Sequence, residues 1–339
     1  MKAIVFERPR LFGVEQLPTP EPRPGEVRVA MSIAGVCGTD VHIHDGTFFA
    51  SFPLTPGHEP AGIVDELGDG VEGLAVGQRV AVNGNSGCGV CDFCVRGRPL
   101  LCRNLRALGV TGPGGFAEYM LAPASQCFPI DDLEPDVAVM VEPTACAVHG
   151  IETLAPPPGS DALVFGAGPT GLMLAQLLLH GGASRVTVAA PIEFKLDLAR
   201  SFGIDETVQI DRSDPEGAAA RLREVAPEGF DVVVDATGAA RVSAQAIGLA
   251  KDGGTVLFYG VVPPDDRIPV SPYEIYRREL TIKGSFAQVD CFPRSIAMLR
   301  SGRVKTDGVI THRFPLDRFG DALETIRGDA RCLKAVVEL

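Results

Sequence analysis

The sequence predicts an α/β protein in which a β-rich domain is combined with a domain built on a doubly wound parallel sheet. Three observations lead to this fold class. A chain of 339 residues suits about two domains. Its first third consists of short β-like runs separated by Pro and Gly. Its middle part alternates β-like runs with helical ones.

The β-like runs of the first third define the first domain. They are KAIVF, EVRVAMSIAGV, GIVDELG and QRVAV, with turn-forming residues between them. A helical run, CFPRSIAMLRSG, and a final strand-like run, KAVVEL, follow the middle part of the chain. We therefore expect residues 1–145 to form the β-rich domain and residues 284–339 to complete it.

The middle part, residues 146–283, predicts the parallel sheet. Strand-like runs such as RVTVAA, FDVVVDATG and GGTVLFYGV alternate with helical runs such as EFKLDLARSFG and EGAAARLREVA. Strands and helices that alternate at this length are typical of a doubly wound sheet. A Pro-rich joint, APPPGSD, lies where the character of the sequence changes.

A glycine-rich turn, VFGAGPTG, follows the first strand of this sheet. Gly166 permits a tight turn, Gly168 lets the backbone approach a pyrophosphate, and Gly171 lets the helix pack closely on the strand. Pro169 and Thr170 open the helix, whose N-terminal N–H groups face an anion. The motif lies in a full run of strands and helices and therefore predicts a Rossmann dinucleotide site.

The end of the second strand indicates which dinucleotide binds. Ala190 stands where an acidic residue would bind the adenosine ribose hydroxyls of NAD. A small residue leaves room for a 2′-phosphate, and Lys195 and Arg200 are candidate partners for it, although both also fit a solvated helix face. NADP is slightly favoured, and NAD remains open.

Four cysteines lie in one loop, SGCGVCDFCVRGRPLLC. They are Cys88, Cys91, Cys94 and Cys102. The charged start of the chain does not resemble an export signal, so we expect a cytoplasmic protein with reduced thiols rather than disulfides. Four thiolates at this spacing fill a tetrahedron and predict a structural zinc site, which does no chemistry.

Charge and hydropathy exclude two classes of partner. The formal net charge is −12, and no basic cluster is present, which disfavours binding to nucleic acid. No run approaches the roughly 20 apolar residues that a membrane span requires. We therefore expect a small-molecule substrate.

Three further segments hold candidate ligands for a second metal. GVCGTDVHIHDG contains Cys37, PGHEPAG contains His58 and Glu59, and VEPTACAVHG contains Glu142. A thiolate, an imidazole and carboxylates suit zinc with an open position, where the metal can polarise an alcohol. By spacing alone, a set of core and surface residues without a metal is an equal alternative.

The order of these segments resembles that of the zinc-dependent medium-chain dehydrogenases of the alcohol dehydrogenase superfamily. The resemblance rests on CGTD-x-H, GHE, the four-cysteine loop, VEPTACAVH and the glycine turn. It implies a GroES-like catalytic domain beside the Rossmann domain. Sorbitol and other polyol dehydrogenases and threonine dehydrogenase are most similar, because Glu142 stands where ordinary alcohol dehydrogenases carry a zinc-binding cysteine.

The resemblance also implies a role for each site residue. Thr39 would take the alcohol proton and pass it through the nicotinamide ribose to His42, which exchanges protons with solvent. The residues implied to bind the catalytic zinc are Cys37, His58, Glu59 and Glu142, of which Glu142 binds directly or through water. The positions implied to line the nicotinamide at strand ends are Thr237, Gly238, Val261, Ser285 and Phe286.

The implied activity is reversible, NAD(P)-dependent oxidation of a secondary alcohol of a polyol, sugar or cyclitol, with one catalytic and one structural zinc ion in each chain. Ala287 and Ile43 differ from the Arg and Tyr that contact substrate in animal sorbitol dehydrogenases, so the substrate stays open. The alternatives are a threonine-type amino-alcohol dehydrogenase, a glucose-type dehydrogenase and a non-catalytic nucleotide-binding relative. The resemblance further implies a homo-oligomer, either a tetramer or a dimer.

Overall fold

The computed structural model describes residues 1–339. The strands, in chain order, are β1 (Lys2–Arg8), β2 (Leu11–Gln16), β3 (Glu26–Val36), β4 (Glu59–Leu67), β5 (Arg79–Val82), β6 (Asn85–Ser86), β7 (Arg106–Ala107), β8 (Tyr119–Pro123), β9 (Cys127–Pro129), β10 (Asp161–Phe165), β11 (Arg185–Ala190), β12 (Glu206–Gln209), β13 (Phe230–Asp235), β14 (Ala250–Phe258), β15 (Thr281–Gly284), β16 (Ile310–Pro315) and β17 (Lys334–Glu338). The helices are α1 (Gly38–Asp45), α2 (Asp92–Val95), α3 (Pro135–Ala138), α4 (Val141–Leu154), α5 (Pro169–His180), α6 (Glu193–Ser201), α7 (Pro215–Val225), α8 (Ala240–Leu249), α9 (Pro272–Arg277), α10 (Phe292–Arg300) and α11 (Phe319–Gly328). None of these helices is both long and apolar enough to cross a membrane.

The chain divides into two compact units. Unit 1 comprises Met1–Ala145, Gln288–Arg300 and Thr306–Leu339, and unit 2 comprises Cys146–Ala287 and Ser301–Lys305. Residues 284–287 and 301–305 group with unit 2, whereas the sequence analysis assigned them to the first domain. Ser285 N donates to Phe258 O, and Lys305 N donates to the side chain of Gln176, which ties both segments to unit 2. The domain boundaries given by the sequence analysis stay a prediction.

Unit 1 is the β-rich part of the molecule. Its main sheet has seven strands in the order β16-β17-β3-β4-β5-β9, and β8 pairs with β3. Residues alternate between buried and half-buried positions along much of β3, as expected for a strand with one face on a core. Phe6, Phe116 and Phe319 belong to one apolar cluster beside the sheet.

The register of the central strands brings distant parts of the chain together. Gly35 on β3 lies opposite Glu59 at the start of β4. The same glycine lies opposite Val336 on β17, the last strand of the chain. Side chains two residues apart on a strand share a face, so Lys334 lies on the same face as Val336.

Unit 2 is a doubly wound parallel sheet. Its six strands run in the order β12-β11-β10-β13-β14-β15, and every neighbouring pair is parallel. Ala162–Phe165 on β10 are fully buried, which is typical of strands that helices cover on both faces. The β-rich and doubly wound parts that the sequence predicts are therefore both present.

Candidate metal centres and nucleotide-binding turn

The four-cysteine loop of unit 1 gathers its sulfur atoms in one place. The Sγ atoms of Cys88, Cys91, Cys94 and Cys102 all lie within 4.8 Å of one another. Cys91 Sγ and Cys102 Sγ are 3.8 Å apart. Tetrahedral zinc with Zn–S bonds of about 2.3 Å separates its sulfur ligands by about 3.8 Å, so this distance fits a zinc ion.

The electrostatics of this loop also suit a cation. Cys91 accepts a hydrogen bond from the backbone N–H of Cys94, which lowers the pKa of its thiol to about 6. Burial raises the pKa of the Cys94 thiol to about 12. The backbone N–H groups of Cys88 and Asn104 donate to Cys102 Sγ at 3.3 Å each. A bound cation would stabilise all four thiolates together, which the protein's own donors do only in part.

A second set of metal donors lies where β3, α1 and β4 meet. Cys37 is the N-cap of α1 and follows β3 directly, and Glu59 begins β4. One donor atom from each of Cys37, His58 and Glu59 lies within 4.8 Å of the others. His58 Nδ1 and Glu59 Oε2 are buried without a hydrogen bond, and each faces a charged side chain, Asp40 and Lys334 respectively.

Buried Asp40 contacts two residues of this donor set, Cys37 and His58. It is fully buried, and its Oδ2 accepts a hydrogen bond from Cys37 N at 2.9 Å. Its Oδ1 lies 3.5 Å from His58 Nδ1, beyond good hydrogen-bond geometry. Burial opposes a charged imidazole, but the Asp40 carboxylate outweighs this and raises the pKa of His58 well above its ordinary value. A more basic imidazole is a stronger metal ligand.

Lys334 is a functional candidate that the sequence analysis did not find. Its ammonium forms a buried ion pair with Glu59 Oε2. Burial disfavours the charged ammonium, but Glu59 and Cys37 outweigh this and raise the pKa of Lys334. Glu142, in the first turn of α4, acts on Lys334 in the same direction. Two features of the sequence could have pointed to this ion pair. Gly35 interrupts the apolar run of β3, and Lys334 begins the apolar run of β17.

Helix α1 carries the two residues of the expected proton relay. Thr39 and His42 are three residues apart and therefore lie on the same face of the helix. His42 Nδ1 lies 3.1 Å from Thr47 Oγ1, and this contact leaves Nε2 for proton exchange. Next to them, Arg327 of α11 lies 2.8 Å from His44 Nδ1, which connects α1 to α11.

The glycine turn in unit 2 has the tight packing that the motif requires. Gly166 has a φ of 102°, which favours glycine. A methyl group at Gly171 would lie 2.0 Å from the carbonyl oxygen of Gly166, so helix α5 packs directly on the turn. Gly168 is the N-cap of α5, and nothing lies within 4 Å of the position of its absent Cβ. Pro169 and Thr170 form the first turn of α5.

The other expected cofactor residues follow the carboxyl ends of parallel strands in unit 2. Thr237 and Gly238 follow β13, Val261 follows β14, and Ser285 and Phe286 follow β15. The carboxyl ends of parallel strands form one edge of a sheet, where such folds bind nucleotides.

Buried Asp235 fixes the first of these turns. It accepts hydrogen bonds from Thr237 N at 2.9 Å and from Ser243 Oγ at 2.6 Å. The sequence analysis did not single out Asp235, although it stands in the DATG run. An aspartate directly after the apolar run VVV of β13 was the available signal.

The surroundings of Ala190 show which side chains could contact a 2′-phosphate of NADP. Ala190 is buried at the end of β11. Lys195 Nζ lies 5.8 Å from the ring centroid of Phe194. Arg200 forms ion pairs with Glu193 and with Asp197, the latter at 2.6 Å, so carboxylates of its own helix hold its guanidinium.

Comparison with known proteins identifies the family of this chain. The family model of the alcohol dehydrogenase GroES-like domain matches residues 23–132, and that of the zinc-binding dehydrogenase matches residues 169–301. D-arabinitol dehydrogenase 1 of Uromyces fabae is 45% identical over 339 residues, covering 100% of this chain and 97% of the relative. D-altritol 5-dehydrogenase of Agrobacterium fabrum (strain C58) is 37% identical over 321 residues, with 93% of each chain covered.

A solved structure extends the similarity to three dimensions. A zinc-binding dehydrogenase of Sinorhizobium meliloti 1021, crystallised with NADP, has a TM-score of 0.93 and 35% identity, with 100% of this chain and 99% of that chain covered. The matches confirm the resemblance inferred from the motifs. The chain belongs to the zinc-type medium-chain dehydrogenases of the alcohol dehydrogenase superfamily.

Proposed function

We propose that the protein catalyses reversible, NAD(P)-dependent oxidation of a secondary alcohol of a polyol, sugar or cyclitol to a ketone. The observation that carries the proposal is the donor set of Cys37, His58 and Glu59, whose ligand atoms lie within 4.8 Å of one another. Three protein donors, rather than four, are typical of a catalytic zinc, which keeps a position for substrate.

The chain's own residues supply the proton chemistry. A zinc ion held by the donor set would lower the pKa of the bound alcohol, and the nicotinamide would accept the hydride. Thr39 Oγ1 takes the alcohol proton, and His42 delivers it to solvent. His42 uses Nε2 for this step, because its Nδ1 contacts Thr47 Oγ1. Asp40 holds the backbone of Cys37 and strengthens His58 as a donor. Glu142 is proposed to bind the zinc directly or through water.

Names of relatives support a polyol as the substrate class. The two proteins reported above are dehydrogenases of D-arabinitol and D-altritol, both of which are linear polyols. Ile43 and Ala287 differ from the residues of animal sorbitol dehydrogenases, so we propose a polyol other than sorbitol.

For the cofactor we propose a slight preference for NADP. The support is Ala190, which puts no carboxylate at the end of β11, and the NADP bound to the S. meliloti relative. The ion pairs of Arg200 with Glu193 and Asp197 limit this preference, because a 2′-phosphate would have to compete with them.

We further propose a cytoplasmic homo-oligomer, a tetramer or a dimer, with a structural zinc in the four-cysteine loop of each chain. Nine free cysteines are in keeping with a reducing compartment. Light scattering on the purified protein measures the oligomeric state, and metal analysis counts the zinc.

Initial rates of NAD and NADP reduction across polyols, sugars, cyclitols and L-threonine test the function. We expect the highest rate with one polyol stereochemistry. Cys37→Ser and His58→Ala should abolish turnover and remove one zinc per chain. Cys127→Ser is the matched control, because Cys127 is a buried thiol of an apolar cluster that belongs to neither set of metal donors, and the variant should retain both turnover and zinc. Turnover that survives Cys37→Ser would disprove the proposed role of the metal, and activity on threonine alone would replace the substrate class.

A further inference from the structure

A buried ion pair lies beside the proposed catalytic donor set. Lys334 is 4% exposed and Glu59 is 2% exposed, and Lys334 Nζ contacts Glu59 Oε2. The contact is an ion pair without acceptable hydrogen-bond geometry, since Oε2 has no hydrogen-bond partner. A lysine is almost never buried to this degree without a partner, so Glu59 is the reason that Lys334 is tolerated here.

The central sheet of unit 1 is built to accommodate this pair. Glu59 lies opposite Gly35 on one side, and Lys334 lies diagonally from Gly35 on the other side. A methyl group at Gly35 would lie 1.9 Å from Glu59 Oε2 and 3.0 Å from Lys334 Cε. The glycine therefore leaves the space in which the carboxylate and the ammonium meet.

The pair has a consequence for the number of protein donors. A carboxylate that an ammonium holds by one oxygen has only the other to offer to a metal. Without the ammonium, Glu59 is a buried anion close to Cys37 and His58, and a cation is the partner left for it. With both oxygens of Glu59 free to bind, Cys37, His58 and Glu59 would offer enough donor atoms to fill a zinc tetrahedron, and a filled tetrahedron has no position for substrate.

We propose that Lys334 is a positioning residue that competes with the metal for Glu59 and so keeps one coordination position open for the alcohol. The inference rests on the proposed function, because it requires a metal at Cys37 and His58. Lys334 touches neither substrate nor cofactor in this role and acts through Glu59 alone.

The test compares zinc-loaded Lys334→Met, Lys334→Arg and wild-type protein. In Lys334→Met we expect turnover to fall by about tenfold or more while the zinc content stays at the wild-type level, and zinc loss to a chelator to slow by about tenfold. The gain in unfolding temperature on adding zinc to the chelator-stripped protein should exceed that of the wild type, because the metal then supplies the only partner of Glu59. Lys334→Arg should restore both turnover and the rate of zinc loss.

Lys251→Met is the matched control. Lys251 forms an ion pair with Asp231 in unit 2, and its loss should leave turnover and zinc exchange unchanged. The proposal is wrong if Lys334→Met loses zinc faster than the wild type, since the lysine would then help to build the site, and equally wrong if zinc exchange is unchanged. If the methionine variant does not fold, Lys334→Gln removes the charge with a polar side chain, and the same criteria apply. A Cys37→Ser variant that keeps the wild-type zinc content would refute the proposed function itself.

Discussion

The glycine turn of unit 2 allows the packing role of one glycine to be separated from the binding role of another. Gly171→Ala introduces a methyl group 2.0 Å from the carbonyl oxygen of Gly166, a backbone atom that cannot move aside. Overpacking of this kind costs about 1–3 kcal/mol. At about 2–4 °C per kcal/mol for a domain of this size, the unfolding temperature should fall by about 2–12 °C.

Gly168→Ala should have the opposite effect on stability. Nothing lies within 4 Å of the new methyl group, and the φ of −73° suits alanine. Removing glycine from the unfolded chain should then stabilise the protein by about 0.4–1 kcal/mol. The methyl group would nevertheless stand where the pyrophosphate approaches the turn, so the affinity for cofactor should fall.

Two measurements distinguish the variants. Thermal unfolding followed by circular dichroism gives stability without cofactor. Titration of NADH and NADPH fluorescence gives the affinity for each cofactor. If Gly168→Ala is destabilised as strongly as Gly171→Ala, or binds both cofactors as the wild type does, the assignment of a packing role to Gly171 and a binding role to Gly168 is wrong.

Three further predictions concern the two proposed metal sites and the proposed proton relay. Asp40→Asn weakens the charge that strengthens His58, so zinc affinity at the catalytic site should fall by about 10–100-fold in chelator competition. Cys91→Ser should remove one zinc per chain and lower the unfolding temperature, while each folded molecule keeps its hydride-transfer rate; a lost rate with unchanged stability would contradict the structural assignment. Thr39→Val should lower kcat by about 10²–10⁴ and leave cofactor affinity unchanged, and a change in affinity alone would exclude the proton-relay role.

The local parts of the sites could be predicted from the sequence. The four cysteines lie within one short loop, so their spacing alone limits how far apart the sulfur atoms can be. The glycine turn is similarly local, and its neighbours in the sequence identify the strand and the helix that it joins. Both features depend on a few consecutive residues rather than on the arrangement of the sheets.

The pairing of Lys334 with Glu59 could not be predicted in this way. It depends on the register of β17 and β4 against β3, and a shift of one residue would turn Lys334 to the other face of the sheet. Arg200 is a different case, because Asp197 stands three residues before it on the same helix. That spacing predicts an ion pair, which the structure contains. The sequence alone therefore gave a reason to doubt Arg200 as a phosphate ligand.

The two proposed metal sites therefore differ in how they depend on the rest of the chain. The four-cysteine site has all its donors in one loop, so substitutions elsewhere should reach it only through global unfolding. The site of Cys37, His58 and Glu59 is assembled from the ends of strands and one helix, and Lys334 comes from the last strand of the chain. If both proposed sites hold zinc, a substitution in β17 should change the chemistry of one zinc ion while leaving the other intact. A change at one site can be distinguished from global unfolding by measuring the zinc released from each site, whereas total activity does not distinguish them.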